Sequence, residues 1–250
     1  MTRLSELNQY YLQGDGTAAR TPLSSPSTLL TDMVSFFDYE ETTGNRLDSH
    51  GSNVLVPYVG YPVDYAAGVA SNAAWFKGFA DWFTATAGHD MHGGDRDFTY
   101  AAKFKFDSKA KDTALGGVYP TSASSPIAFD WMLYYYTVPN AMRFYMGFSY
   151  TWYFATSTVS IALDTWYLAI CKYEASTKTI SISVNGETPV TAVGVGTPNN
   201  TGDVFTDGLY YSSPYWFYGK KDWACFNSRL ITPAEEAELL TINSYLDLTA

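Results

Sequence analysis

The sequence has little positive charge, almost no cysteine and no long apolar run. Each shortage closes a class of function. Lys and Arg number 15 against 25 Asp and Glu, a net charge of −10 over 250 residues. An acidic surface repels phosphate backbones, so nucleic acid is not expected as a partner. Cys171 and Cys225 are the two cysteines, too few for a disulfide framework or a zinc site. Each lies within an apparent strand, and both are expected to be reduced, buried thiols. No apolar stretch approaches the roughly 18 residues that span a bilayer, so no membrane partner is expected. Residues 1–8, MTRLSELN, lack the apolar core of a signal peptide; the expectation is a protein made in a host cytoplasm that is kept there or leaves by lysis rather than by secretion. The sequence also has no Gly-x-Ser-x-Gly nucleophile elbow, no P-loop and no dinucleotide fingerprint.

Aromatics are abundant instead, at 17% of residues with 21 Tyr and 7 Trp. Broad rings pack well on a pleated sheet. They also serve sugar stacking and protein interfaces, so composition alone does not choose between these uses.

Period-two alternation dominates from Leu29 onward. In DFTYAAKFKFD, Phe98, Tyr100, Ala102, Phe104 and Phe106 share one face, and Lys103 and Lys105 the other. In DTWYLAICKYEASTKTISISVNGETPVTAV, Ile180, Ile182 and Val184 oppose Ser181 and Ser183. Asn185-Gly186 marks a hairpin, because both residues tolerate the positive φ of a type I′ turn. Three adjacent antiparallel strands are expected there. One helix is marked near the end: Thr232 as N-cap, Pro233 at the first helical position, Glu235 three residues after the cap, and Leu239, Leu240 and Ile242 as an apolar side. Many strands with one short helix predict an all-β sandwich rather than an α/β fold.

Residues 1–28 differ from the rest. LSELNQYYLQ holds one or two helical turns, followed by the Gly-, Pro- and Ser-rich GDGTAARTPLSSPST. Two readings stand side by side: a disordered tail, or an arm that orders on a neighbouring subunit through Leu4, Leu7, Tyr10 and Tyr11. The expected division is an arm over 1–28 and one domain over 29–250.

Four ordered segments carry a resemblance. They are LLTDMVSFFDYEETTGNRLDSHGSNVL (29–55), GGDRDFTYAAKFKFD (93–107), the meander over 164–193, and FYGKKDWACFNSRLITPAEEAELL (217–240). Together they resemble the laminin-G-like branch of the concanavalin A-like lectin/glucanase superfamily. The resemblance implies a jelly-roll sandwich of two antiparallel sheets. The stretch GNRLDSHGSN is also similar to versions of this module in tailed-phage virion proteins. That implies a non-enzymatic virion component, a capsid decoration or fibre protein, attached through residues 1–28 to other virion proteins and forming a homo-oligomer. The alternative is a carbohydrate-binding module that adheres to surface glycans.

A third reading, a glycoside hydrolase, needs two carboxylates flanking the scissile bond. The nearest run is Asp38-Tyr39-Glu40-Glu41, but Phe36 stands where the glucanase pattern places its leading Glu. No enzyme is expected. The resemblance further implies calcium as a candidate cofactor, with Asp38, Asp48 and Asp222 as candidate ligands. The competing reading takes precedence: Asp38 and Asp222 bond backbone at strand ends, and Asp48 makes an Asx-turn before Gly51. His89-Asp90-Met91-His92 lies among glycines and reads as a loop rather than a metal site. For a glycan, the candidate rings near turns are Tyr134, Tyr136, Tyr215 and Trp216; core packing or subunit contact is the competing use of the same rings.

Overall fold

The protein is described from a computed structural model, over residues 27–58, 62–69, 71–78, 81–85, 89–120, 129–200, 204–208 and 216–249. Leu4, Leu7, Tyr10, Tyr11 and Tyr215 lie outside the described residues.

Two antiparallel sheets form a jelly-roll sandwich. The first contains β1 (Met33–Phe37), β4 (Asp64–Ala67), β5 (Asn72–Lys77), β7 (Phe98–Phe106), β12 (Trp166–Glu174), β13 (Thr179–Val184), β14 (Val190–Val193) and β16 (Tyr218–Asn227). Its order is β14-β13-β12-β7-β16-β5-β4, with β1 also paired to β16. The second contains β2 (Arg46–Leu47), β3 (Val54–Pro57), β6 (Phe83–Ala85), β8 (Thr113–Tyr119), β9 (Trp131–Tyr136), β10 (Ala141–Phe148), β11 (Thr151–Thr156) and β15 (Val204–Asp207). Its order is β11-β10-β9-β8-β15-β6-β3-β2.

The alternation read from the sequence sets which side chains fill the core. Phe98, Tyr100, Ala102, Phe104 and Phe106 of β7 face Trp131, Leu133 and Tyr135 of β9 and Met142, Phe144, Met146 and Phe148 of β10, all in one buried cluster. The expected meander is β12-β13-β14, and Asn185 and Gly186 take φ of 51° and 76° at its hairpin. Strand twist favours this turn, which requires two left-handed residues in succession.

The outer face of the first sheet is half covered. Helix α1 (Pro233–Leu239) starts in a complete capping box: the Thr232 side chain accepts from Glu235 N, and Glu235 Oε2 accepts from Thr232 N at 2.8 Å. Leu239 and Ile242 join Leu29, Phe36, Trp223, Cys225 and Leu248 in a second buried cluster on this face. Leu240 departs from expectation: as the C-cap it is 42% exposed and lies over the hairpin at Gly186. A further helical turn, α2 (Leu246–Thr249), follows, and Ser27 N donates to Leu248 O at 3.0 Å. Ser27 and Thr28, placed in the arm by sequence, bond to this C-terminal segment, Thr28 O accepting from Arg229 Nη2 at 2.8 Å.

Candidate functional site

The outer face of the second sheet carries rings instead of a helix. Cross-strand register builds it. Arg143 on β10 pairs with Tyr134 on β9 and Thr156 on β11. Tyr145 pairs with Met132 and Phe154, and Gly147 with Trp152. The inward residues of the same strands belong to the core, so this second set must face out. Tyr119, Phe129, Met132, Tyr134 and Tyr145 form its buried base, with Tyr136 packed against them. Above the base, Trp152 is 37% and Phe154 42% exposed, and Tyr150 is exposed at the β10–β11 turn.

Arg143 organises this shelf. Its guanidinium lies 4.1 Å from the Tyr136 ring centroid and 4.4 Å from that of Phe154, a cation held between two π-faces. Nε donates to Thr156 Oγ1 at 3.0 Å and Nη1 to Tyr145 Oη at 3.1 Å. These bonds fix the guanidinium on a platform of rings. Burial pushes the Tyr145 phenol above its ordinary pKa, which keeps it neutral and able to donate.

A polar pocket lies beyond the Trp152 end of the shelf. The Phe129 ring packs on Trp152 at 5.1 Å, and the Asp130 carboxylate beside it lies 3.6 Å from His92 Nδ1. His92 lines a cavity of about 530 Å³ with Asp90, Gly93, Gly94, Asp95, Arg96 and Asn200. Asn199 ties the two regions together: its Nδ2 donates to Phe129 O at 3.2 Å and its Oδ1 accepts from Tyr150 N at 3.3 Å. Gly147 permits this, because a Cβ there would sit 2.2 Å from Asn199 Nδ2. Arg96 stiffens the loop by donating to Asp90 O and His92 O at 2.8 and 2.9 Å. His89 and His92 stack at 4.6 Å within this loop.

The structure brings together some of the residues expected from sequence and separates others. Tyr134 and Tyr136 do meet, with centroids 6.5 Å apart, but Tyr134 is only 8% exposed and acts as floor rather than surface. Trp216 is half-buried and lies just before Phe217 of the core. Arg143, Tyr145, Trp152 and Phe154 were not singled out by sequence. Their signal was alternation in AMRFYMGFSY and WYFATST, which marks a face without saying what covers it.

The calcium candidates are placed apart in role. Asp48 Oδ1 accepts from the N–H groups of Phe36, His50 and Gly51, at 2.9, 3.0 and 2.8 Å, which is a turn-capping carboxylate. Asp38 accepts from Tyr245 N at 2.7 Å and Ser49 Oγ at 2.9 Å. Asp222 accepts from Val69 N at 2.7 Å, and its Oδ2 is buried with no partner. Burial raises both Asp38 and Asp222 to about 6. Among the described residues, no group of three or more His, Cys, Asp or Glu side chains could hold a metal ion. No helix among them is long and apolar enough to cross a membrane.

Two antiparallel sheets packed face to face around one core define a jelly-roll β-sandwich domain. The chain belongs to the laminin-G-like family of the concanavalin A-like lectin/glucanases superfamily, whose family model matches residues 77–235. No curated protein matches it in sequence. Among solved structures, it is similar to domain 4 of AbnA, a GH43 extracellular arabinanase from Geobacillus stearothermophilus, in complex with arabinotriose. The identity is 14% and the TM-score 0.64, over 84% of this chain and 98% of that one. It is also similar to the binding domain of Paraclostridial Mosquitocidal Protein 1, at 12% identity and TM-score 0.67, over 85% of this chain and 52% of that one. Trypanosoma rangeli sialidase in complex with sialic acid matches at 15% and TM-score 0.60, over 84% of this chain and 32% of the sialidase chain. This chain therefore spans about half and a third of the latter two. At these identities the likeness is one of fold.

Proposed function

We propose that this protein is a non-catalytic carbohydrate-binding domain that holds a glycan along the outer face of the second sheet. The observation that carries the reading is the Arg143 shelf: Tyr136 and Phe154 around one guanidinium, with Trp152 further along β11 beside Tyr145 and Phe129. Sugar rings present apolar C–H faces that stack on aromatic side chains. Their hydroxyls need donors and acceptors at fixed positions, which the Arg143 guanidinium, Asp90, Asp95 and Asn200 offer. Family membership supports the reading, as does the arabinotriose complex of the arabinanase domain. Binding of this kind needs no nucleophile or acid–base pair.

The test is affinity electrophoresis against soluble polysaccharides, arabinan and galactan first, followed by a glycan array. Trp152→Ala should weaken retention by up to about tenfold, the weight of one lost stacking contact. Its thermal midpoint should stay near wild type, because the indole is over a third exposed. Retention by wild type and Trp152→Ala alike would sink the shelf as the binding site. No retention on any glycan would sink the reading itself.

The finer expectation from sequence, attachment to a virion through residues 1–28, rests on the resemblance carried by GNRLDSHGSN, the lack of a signal-peptide core in residues 1–8 and the arm-like residues 1–28. Co-sedimentation with particles, with and without residues 1–28, tests it. Glycan binding and such attachment are compatible in one molecule.

A further inference from the structure

The exposed half of the first sheet holds a second arrangement of rings and cations, on the opposite side of the sandwich from the Arg143 shelf. Four residues stand in one cross-strand row. Trp75 on β5 pairs with Lys220 on β16, Lys220 with Lys105 on β7, and Lys105 with Trp166 on β12. Their inward neighbours Ala74, Phe76, Phe104, Phe106 and Tyr167 are core residues, so the row faces out. Strands are roughly 4.8 Å apart, which puts the two tryptophans about 14 Å from one another at the backbone, with both lysines between.

The charges in this row are not arranged for stability. Like charges directly opposite each other on neighbouring strands are unfavourable. Lys220 has an answer: it meets both oxygens of Asp107 at 2.8 and 2.9 Å, and Trp75 Nε1 donates to the same carboxylate at 2.9 Å. Lys77, at the rim, pairs with Asp64. Lys105 meets no carboxylate among the described residues, and its ammonium rests 5.4 Å from the Trp166 ring centroid. Among the described residues, Lys105 is thus a cation without a carboxylate partner, beside a like charge and between two half-buried indoles. A cation–π contact is a weak substitute for a counter-ion at an accessible site.

We infer that the Trp75–Lys220–Lys105–Trp166 row is a second binding site, for an acidic oligosaccharide that stacks on the two indoles and places a carboxylate or sulfate on Lys105. The indoles supply flat apolar area at a fixed spacing. The ligand's anion supplies the partner that the fold withholds. Asp107 holds the Trp75 ring and the Lys220 ammonium in place before anything binds.

The experiment is affinity electrophoresis of the full chain in polygalacturonate (carboxylated) and in heparin (sulfated), with soluble poly-glutamate as a separate competitor. Lys105→Gln and Trp166→Ala are compared with Leu47→Ala, an exposed residue of the second sheet that belongs to neither site. Retention should fall about tenfold in each of the first two variants and stay at wild-type level in Leu47→Ala. Thermal midpoints identify any variant that fails to fold, and Trp75→Phe then replaces it. Whichever polymer is retained names the anion. Three results would overturn the inference: no retention in either polymer at low salt, wild-type retention by Lys105→Gln and Trp166→Ala, or full competition by poly-glutamate. The shelf on the second sheet is tested with neutral glycans, so either site can fail without the other.

Discussion

Lys221 on β16 and Asp207 on β15 form an ion pair between the two sheets, and neither side chain has any solvent exposure. Tyr39 completes the network by donating its hydroxyl to Asp207 Oδ2 at 2.6 Å, and Lys221 Nζ also donates to Leu115 O. A buried ion pair adds little over a well-packed apolar pair, but breaking one half strands the other charge in a low-dielectric core. Asp207→Ala should therefore destabilise the domain by about 3–5 kcal/mol. The double change Asp207→Leu with Lys221→Met should recover most of that loss. Denaturant unfolding of the three proteins measures both quantities. If the double variant is no more stable than Asp207→Ala, the penalty does not come from the stranded lysine.

Asp222 and Glu235 titrate in opposite senses. Burial raises Asp222 from 3.8 to about 6. The folded state then binds that proton more tightly than the unfolded one, so this group favours folding most at low pH, and its contribution is lost as pH rises through about 6. Comparing wild type with Asp222→Asn, the variant should gain in relative stability between pH 4 and pH 7.5, by on the order of 2 kcal/mol. A pH-independent difference would show that the carboxyl is not strained by burial.

Glu235 is held down to about 2, first by its hydrogen bonds with Arg229. Arg229 meets both its oxygens, at 2.7 and 2.9 Å. Here the contribution is present above the ordinary value of 4.5 and lost as pH falls through about 2. Glu235→Gln should be less stable than wild type at pH 6, with the gap closing toward pH 2. Thr232→Ala removes the other half of the capping box and should cost about 1 kcal/mol. Thermal melts across pH read both effects, and because Thr232 Oγ1 also donates to Glu235 Oε2 at 3.1 Å, part of the Thr232 loss should fade toward pH 2 as well.

Cys171 and Cys225 should be silent to a thiol reagent in the native protein and react fully once it is unfolded. Burial raises both thiols, Cys225 to about 12, and the reactive species is the thiolate. Cys171 points into the core between the sheets, whereas Cys225 lies under α1 on the outer face. The sheet thus separates them, and oxidation should yield no intramolecular disulfide. Reaction of either thiol at native-state rates equal to those of a free peptide would refute this placement.

Much of the architecture was legible before any fold was seen. Period-two alternation assigned the faces of β7, β12 and β13, and Asn185-Gly186 and Thr232-Pro233-Ala234-Glu235 each name their own backbone geometry. These are local signals, set by sterics and hydrogen bonds within a few residues, so sequence alone determines them. The candidate site was legible only in part. Tyr134 and Tyr136 were singled out as rings near a turn, but burial made Tyr134 a floor. Arg143, Trp152 and Phe154 became a shelf because β10 and β11 pair in one register. The same alternation in β7 and β16 gave one face to the core and the other to α1 or to solvent. Which neighbour covers an apolar or aromatic face depends on how distant strands are ordered in the sheet. That order places Lys221 beside Asp207 and sets Trp75, Lys220, Lys105 and Trp166 in one row, and only the tertiary structure decides it.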